Sequence, residues 1–480
     1  MALVPLLIAL EGKSLGQGFR LGYLSGFLFF VGTLYWIVYV TFLGTLLLHL
    51  YLSVYFGIFG LVYVWMRRKG GCVQIWVVPS LWVVLEYIRA HLLTGFGWVS
   101  LGHSQYKNLP VIQIADVTGM LGISFLVVLV NLVMKDVVEG IRQRKGYALL
   151  REVKWRLIVV GGIWAAVLGY GFYRLHSLKD LSQINVAVIQ GNIPLQMKWE
   201  SENWPEIFEK HVFLTRQAAL QKPALIIWSE TSFPGLLWQA PEEFEDLKAL
   251  AREIQIPILF GVVTRQGENY YNSAMLLSAQ GEEVIRYNKL HLVPFGEYIP
   301  LRGIFPFLEN IVPIDDFTPG GEYTLFALRD LKEDPLFRKT VSQQSPSFSV
   351  MICFEDAAEY IARGFVRRGA QFLVNLTNDA WFEDTKAPFL HVQSSVFRAV
   401  ENRKAVVRAA NTGVSCFIDP QGRIVNSLED KRGKKTYVVG WALGKVSLND
   451  QRTIYTKFGD FFTALCFGCI LGGIWARKKH

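Results

Sequence analysis

Long and short apolar runs divide the chain into regions of different character. Stretches of about twenty apolar residues, enough to cross a bilayer as a helix, occur near 21–40, 44–66, 73–93, 111–134, 155–173 and 458–476. Between the last two the pattern changes to short β-prone runs. INVAVIQ (184–190), ALIIW (224–228), IPILFGVV (256–263), NSAMLLSA (272–279), FSVMICF (348–354), AQFLVNL (370–376), KAVVRAA (404–410) and SCFIDP (415–420) each predict a strand. Amphipathic stretches such as 241–254 and 357–368 predict helices between them. Strands alternating with helices predict an α/β unit whose apolar strands are buried on both faces. The expected organisation is a helical membrane domain over 1–175, an exterior α/β domain over 176–456, and a C-terminal membrane helix with a short tail over 457–480. Residues 2–10 are apolar but too short to span alone, and 321–347 read as a polar surface loop.

Composition supports a membrane protein with a large water-facing part. Hydrophobic residues make up 51% of the 480, charged residues only 19%, below the usual share for a soluble enzyme. Mean hydropathy is +0.28. The net charge of +9 gathers in clusters beside the apolar segments, which argues topology rather than nucleic-acid binding. Lys13 and Arg20 precede the first span; Arg67, Arg68 and Lys69 follow the second. A cluster from Lys135 to Arg156 precedes the fifth, and Arg477, Lys478 and Lys479 follow the last. With alternating crossings all four fall on one side, the cytoplasmic side by the positive-inside rule. The α/β domain then faces the periplasm.

The five cysteines (Cys72, Cys353, Cys416, Cys466, Cys469) form neither a disulfide framework nor a zinc pattern. Glu86 and Arg89, three apart within an apolar helix, read either as an internal ion pair or as part of a site. Trp98, at the exterior end of that span, fits an interfacial aromatic belt or a lipid entrance.

In α/β folds functional residues collect beyond the carboxyl ends of strands. Glu230 follows ALIIW, Cys353 ends FSVMIC, and Asn378 and Asp379 follow FLVNL. Lys289 lies in IRYNKLHLVPFGEYIP, rich in aromatics and proline, with Glu297 eight residues on. A Cys, a Glu and a Lys make a workable nucleophilic set. The cation favours the thiolate, the carboxylate accepts its proton, and the ammonium faces an oxyanion. A Cys–His pair through His291 or His391 is the competing arrangement.

These residues resemble those of the carbon–nitrogen hydrolase, or nitrilase, superfamily, whose members use a Glu–Lys–Cys triad on an α-β-β-α sandwich. More closely, the chain resembles the bacterial apolipoprotein N-acyltransferases, which join such a domain to a multi-pass helical membrane domain. The resemblance rests on QGNIPLQMKW (190–199), IIWSET (227–232), YYNSAMLL (270–277), YNKLHLVPFGEYIP (287–300), ICFED (352–356), LVNLTNDAWF (373–382) and HVQSSVFRAVENRKAVVRAANTGVS (391–415). It implies Glu230 as general base, Lys289 as the lysine and Cys353 as the nucleophile. It implies Glu297 as a second active-site glutamate, Glu355 and Phe354 as pocket supports, and Trp199 as an aromatic near the lipid. Trp98 is grouped with these last. Implied too is acyl transfer through a Cys thioester from a phospholipid donor to the amine of a diacylglyceryl-modified apolipoprotein acceptor. No metal, cofactor or nucleic acid is expected, and the protein is expected to act as a monomer. A mobile lid is expected over 297–320. The alternatives are a membrane-anchored amidase, which uses water as acceptor, and a transporter or scaffold. The chain departs from the family pattern at Phe354, Gly97 and Glu383, where Tyr, Pro and Gly are frequent. Only residues 2–10 stand where the family carries a further helix.

Overall fold

The computed structural model describes residues 2–68, 74–143, 147–177, 181–198, 200–299, 316–328 and 345–478. The chain forms two compact units, one from residues through Ser177 together with those from Phe458 onward, the other from Leu178 to Lys457.

The first unit is helical. Among the described residues, four helices are long and apolar enough to cross a membrane: Leu15–Tyr39, Phe42–Arg67, Met120–Arg142 and Val153–Ser177. Six spans were expected. Two of those expected, at 73–93 and 458–476, form the helices Gln74–His91 and Phe461–Lys478, which are not among the four. The former spends part of its length on Glu86 and Arg89. The span expected at 111–134 is also displaced. Gly119, at φ 68°, breaks the path, so Leu109–Ile112 and Ala115–Thr118 are short turns and the long helix starts at Met120.

Residues 4–9 form a short helix whose Leu6 and Leu7 are buried. The Leu3 N–H donates to Asn131 Oδ1 at 3.1 Å. Glu11 then meets Lys135 at 2.6 Å and Arg67 at 3.0 Å and accepts from the Tyr63 hydroxyl at 2.9 Å. Lys135 therefore belongs to an internal ion cluster with its side chain fully buried, and is not a free topological charge. Helices 15–34 and 42–68 touch along a seam of small residues. A Cβ on Gly22 would lie 2.2 Å from the Phe56 carbonyl oxygen, and one on Gly60 2.3 Å from that of Gly18. Such close approach lets backbones pack where lipid offers no hydrophobic drive.

Among the described residues, the second unit is a sandwich of two six-stranded sheets. The first contains β1 (Gln183–Gln190), β2 (Leu225–Ile227), β3 (Ile258–Gln266), β4 (Asn269–Leu277) and β5 (Glu283–Asn288). The second contains β6 (Phe326–Ala327), β7 (Ser347–Ile352), β8 (Phe372–Thr377), β9 (Ala405–Ala410), β10 (Cys416–Ile418) and β11 (Ile424–Ser427). The last strand, β12 (Gly440–Ser447), returns to pair antiparallel with β1. The orders are β12-β1-β2-β3-β4-β5 and β11-β10-β9-β8-β7-β6. In each, three central strands run parallel through helical crossovers, β1-β2-β3 and β7-β8-β9, and the flanking pairs are antiparallel. Trp204–Ala219 and Pro241–Ile254 bury Phe208, Leu214, Leu247 and Ala251 against Ile226, Trp228 and Phe260. Glu359–Arg367 and Ala387–Asn402 cover the second sheet. The inner faces meet where a Cβ on Gly444 would lie 2.3 Å from the Phe417 ring. All eight expected strands are present. Strands β5, β6, β11 and β12 were not expected, since their burial is partial or their length minimal.

Gly22→Val should lower the melting temperature of the detergent-solubilised protein, overpacking of this kind costing about 1–3 kcal/mol. Gly32→Ala, with nothing within 4 Å of the added Cβ, is the control. Equal melting temperatures for the two variants would refute the close-packed seam.

Candidate active site

Strand ends carry the chemistry. Cys353 follows the last residue of β7, and its backbone turns into the left-handed region, φ 53°, as a short 3-10 turn over Cys353–Ala357 begins. A non-glycine residue there is strained, typically by about 1–3 kcal/mol, and persists only where its surroundings hold it. The holding groups are identifiable. The Cys353 carbonyl accepts from Asn375 Nδ2 at 3.0 Å and lies 3.1 Å from His391 Nε2. Glu355, two residues on, is fully buried. It accepts from the Ile352 N–H at 2.6 Å, the Tyr287 hydroxyl at 2.7 Å, and the Leu290 and His291 N–H groups at 2.6 and 3.0 Å. One carboxylate thus ties the Cys353 turn to the loop that carries Lys289. Burial raises its pKa to about 7, against the pull of those donors and of Lys289.

Glu230 follows β2 and comes from the other sheet. Its Oε2 accepts from the Asn378 N–H and its Oε1 from Asn272 Nδ2, both at 2.8 Å. Gly261 passes so close that a Cβ there would lie 2.7 Å from Glu230 Cα. Lys289, immediately after β5, is buried. Its Nζ is 2.8 Å from Glu297 Oε2, 2.9 Å from Glu297 Oε1 and 3.7 Å from Glu230 Oε1. Glu297 also accepts from the Val293 N–H at 2.8 Å. Burial works to discharge Lys289, but Glu297, Glu230 and Cys353 outweigh it and its pKa rises above the ordinary lysine value. Burial pushes the Cys353 thiol well above its ordinary range. The charge of Glu230 adds to this, while Lys289 and a hydrogen bond with Thr377 pull the other way. At neutral pH the site rests as a thiol beside a charged lysine.

Beneath the turn lies a second cluster. Arg408, fully buried in β9, donates to Asp356 Oδ2 at 3.1 Å, Asn375 Oδ1 at 2.7 Å and Asp379 Oδ2 at 3.3 Å. His391 stands between the same aspartates, Nδ1 2.9 Å from Asp379 and Nε2 3.1 Å from Asp356. The competing Cys–His arrangement is therefore not what the geometry provides. His391 faces the cysteine's carbonyl and two carboxylates, and His291 Nδ1 pairs with the Tyr360 hydroxyl at 2.8 Å. Burial and Arg408 oppose protonation of His391, yet the two carboxylates prevail and raise its pKa to about 9. Asp356 and Asp379 are correspondingly held low, by His391 and Arg408 against burial.

Of the other expected residues, Phe354 is buried with its ring 5.8 Å from that of His291. Trp98 is buried within the helical unit, its ring 5.2 Å from that of Trp36, and so does not sit in an exposed interfacial belt. Glu86 and Arg89 attract each other and each also holds further partners. Glu86 accepts from Trp82 Nε1 and the Leu101 N–H, while Arg89 donates to the Trp98 carbonyl and to Ser100 Oγ. Trp199 lies outside the described residues, as do 300–315 of the expected lid. The described part of that stretch is pinned: the Phe317 N–H donates to the Glu297 carbonyl and the Gly320 N–H to that of Lys289. Among the described residues no group of three or more His, Cys, Asp and Glu is arranged to hold a metal ion. Sequence reasoning missed Asn272, Asp356 and Arg408. A charged residue within the apolar run KAVVRAA was the available signal for the last.

A family model described as the apolipoprotein N-acyltransferase N-terminal domain matches residues 1–133, and one described as carbon-nitrogen hydrolase matches 185–447. The apolipoprotein N-acyltransferase of Geobacter metallireducens is 36% identical over 500 residues, covering 100% of this chain and 91% of that protein. That of Methylococcus capsulatus is 34% identical over 439 residues, covering 89% and 79%. Among solved structures, an amidase from Nesterenkonia sp. aligns at 19% identity with a TM-score of 0.40, over 60% of this chain and 98% of that one.

Folded-state pKa elevation makes His391 a pH-dependent support. Its contribution is fully present below its unfolded value near 6.5 and is lost as pH rises through about 9. Asp356 and Asp379 have the opposite sign, stabilising above their unfolded values and losing that support as pH falls. Glu355, raised to about 7, adds a loss of stability as pH rises through that value. Between about pH 6.5 and 9 the melting temperature should therefore fall more steeply in the wild type than in His391→Gln. Parallel curves would show that the imidazole is not held charged.

Proposed function

Because this chain belongs to the apolipoprotein N-acyltransferase family, we propose that it transfers a fatty acyl group from a phospholipid to a lipoprotein amine through a thioester on Cys353. The observation that supports this reading is that Glu230 and Lys289, 3.7 Å apart, both act electrostatically on a partly buried cysteine at a strained strand end. In the first half-reaction Glu230 takes the thiol proton as sulfur attacks the sn-1 ester carbon of a phospholipid such as phosphatidylethanolamine. Lys289 faces the oxyanion that develops, held there by Glu297. The ester C–O bond breaks, the leaving oxygen takes up the proton, and lysophospholipid departs. In the second, the α-amine of a diacylglyceryl-cysteine attacks the thioester carbon. Glu230 accepts an amine proton, the C–S bond breaks, and the thiol is restored as an amide forms. Glu355 and Phe354 support the pocket. The chain is a multi-pass protein of the bacterial inner membrane, and we place the catalytic unit in the periplasm, with Gln74–His91 and Phe461–Lys478 crossing as well as the four longer helices so that the charge clusters share the cytoplasmic side.

The high resting pKa of the thiol agrees with this scheme. A base must act in concert with attack, since no standing thiolate is available. Intact-mass measurement after incubation with phosphatidylethanolamine should give a fatty-acyl increment that hydroxylamine removes and that Cys353→Ala lacks. A diacylglyceryl-cysteine peptide should discharge it to an N-acylated product. Glu230→Gln should slow adduct formation by about 10²–10⁴-fold. Discharge to free fatty acid with the peptide left unmodified would replace transfer by hydrolysis, and a folded protein with no adduct would sink the thioester.

A further inference from the structure

Glu230 and Glu297 sit around one lysine, yet Lys289 does not share itself equally. It contacts both oxygens of Glu297 within 2.9 Å and stands 3.7 Å from Glu230. The side chain between the two carboxylates is Asn272, on β4 and 3% exposed. Its single amide nitrogen donates to Glu230 Oε1 and to Glu297 Oε1, each at 2.8 Å. Ionised carboxylates only accept, so the nitrogen must face them and the amide orientation is fixed by chemistry. Asn272 Oδ1 has no partner among the described residues, so the cost of burying it is tolerated for the sake of the nitrogen's two bonds. The same residue's main-chain carbonyl accepts the Lys289 N–H at 2.9 Å.

We propose that Asn272 is a positioning residue that apportions the lysine: by bridging the two carboxylates it lets Lys289 pair closely with Glu297 and leaves Glu230 an ionised base held by neutral donors. This rests on the acyl-transfer reading of the site. Two carboxylates sharing a nitrogen would otherwise be eased apart, or one would take up a proton. A Glu230 locked in a tight ion pair, or protonated, could not accept the thiol proton. The Asn378 N–H, the other donor to Glu230, is neutral too. The other charged groups that act here are accounted for. Lys198 acts on Glu230 from the turn at 195–198. Asp379 and Arg408 act on Cys353, and Glu355 acts on Lys289.

The test uses the full-length protein in detergent and two readouts. One is the pH dependence of Cys353 alkylation by iodoacetamide, located by peptide mass, which needs no lipid. The other is the rate of acyl-enzyme formation from phosphatidylethanolamine. Asn272→Asp, nearly isosteric, sets a third carboxylate against the pair. It should move the acid limb of both profiles up by about one unit or more and cut the maximal acylation rate about tenfold or more, with little change in the KM for phospholipid. Asn272→Ala should lose rate in the same sense. Ser273→Ala, whose hydroxyl bonds Thr264 and Asn288 instead, should leave both limbs in place. If the Asn272→Asp profiles superimpose on the wild type, the proposal is overturned, whether or not Asn272→Ala folds. A wild type that alkylates but never accepts an acyl group would count against the acyl-transfer reading alone, while the alkylation limb of Asn272→Asp still decides the role of Asn272.

Discussion

The left-handed turn at Cys353 is the constraint to which the rest of the site is fitted. A strand running straight on would carry the next residues away from the loop that holds Lys289. Reversing at φ 53° instead leaves the cysteine at the strand end and folds Glu355 and Asp356 back beneath it. Both acids are then fully buried, and each must be compensated. Glu355 is answered by three backbone N–H groups and a tyrosine hydroxyl. Asp356 is answered by Arg408, His391 and Ser395. Removing one member of such a cluster leaves an uncompensated buried charge, a loss of about 3–5 kcal/mol. The strain at one residue is thus offset by groups drawn from β8, β9 and the helix over 387–402.

Above the turn the electrostatics take a different form. Below, two cations face two aspartates and nothing there is called on to change its protonation. Above, one ammonium serves two glutamates and a thiol, and the thiol is the member that stays neutral. On the proposed acyl-transfer reading, such a site would keep the cysteine dormant until an acyl carbonyl arrives and the developing oxyanion gives the lysine a further partner. Rigid compensation below and an incomplete balance above separate the groups that hold the cysteine from those that act on its charge state.

The helical unit solves a related problem with other means. Within a bilayer, apolar side chains gain little by meeting one another, so contact must come from close backbone approach and from polar locks. Gly18, Gly22 and Gly60 supply the first. Glu11, tied to Arg67, Lys135 and Tyr63, supplies the second. Arg67 and Lys135 entered the topology argument as cytoplasmic charges. Their position on one carboxylate is consistent with that side, but their number overstates the free charge there.

What was legible in the sequence follows from which signals are local. A strand such as FSVMIC announces itself by its own residues, and Glu230, Cys353 and Lys289 stood out because each abuts such a strand. Edge strands did not, because Glu283–Asn288 is largely exposed and owes its conformation to β4 rather than to its own apolarity. The roles of Asn272 and Arg408 were out of reach for a sharper reason. Each is defined by groups from other parts of the chain: Asn272 by carboxylates 42 residues before it and 25 after it, Arg408 by aspartates 52 and 29 residues before it. An asparagine in YYNSAMLL and an arginine in KAVVRAA break the apolar pattern of their strands, and that break is all a sequence can show. It says that a partner must exist without saying which. The helix expected at 73–93 forms over Gln74–His91, but its apolar average hid two charges with partners, the Leu101 N–H and the Trp98 carbonyl, in the loop that follows it. In both cases a polar residue inside an apolar run is the informative one, and its meaning resides in the segment that satisfies it.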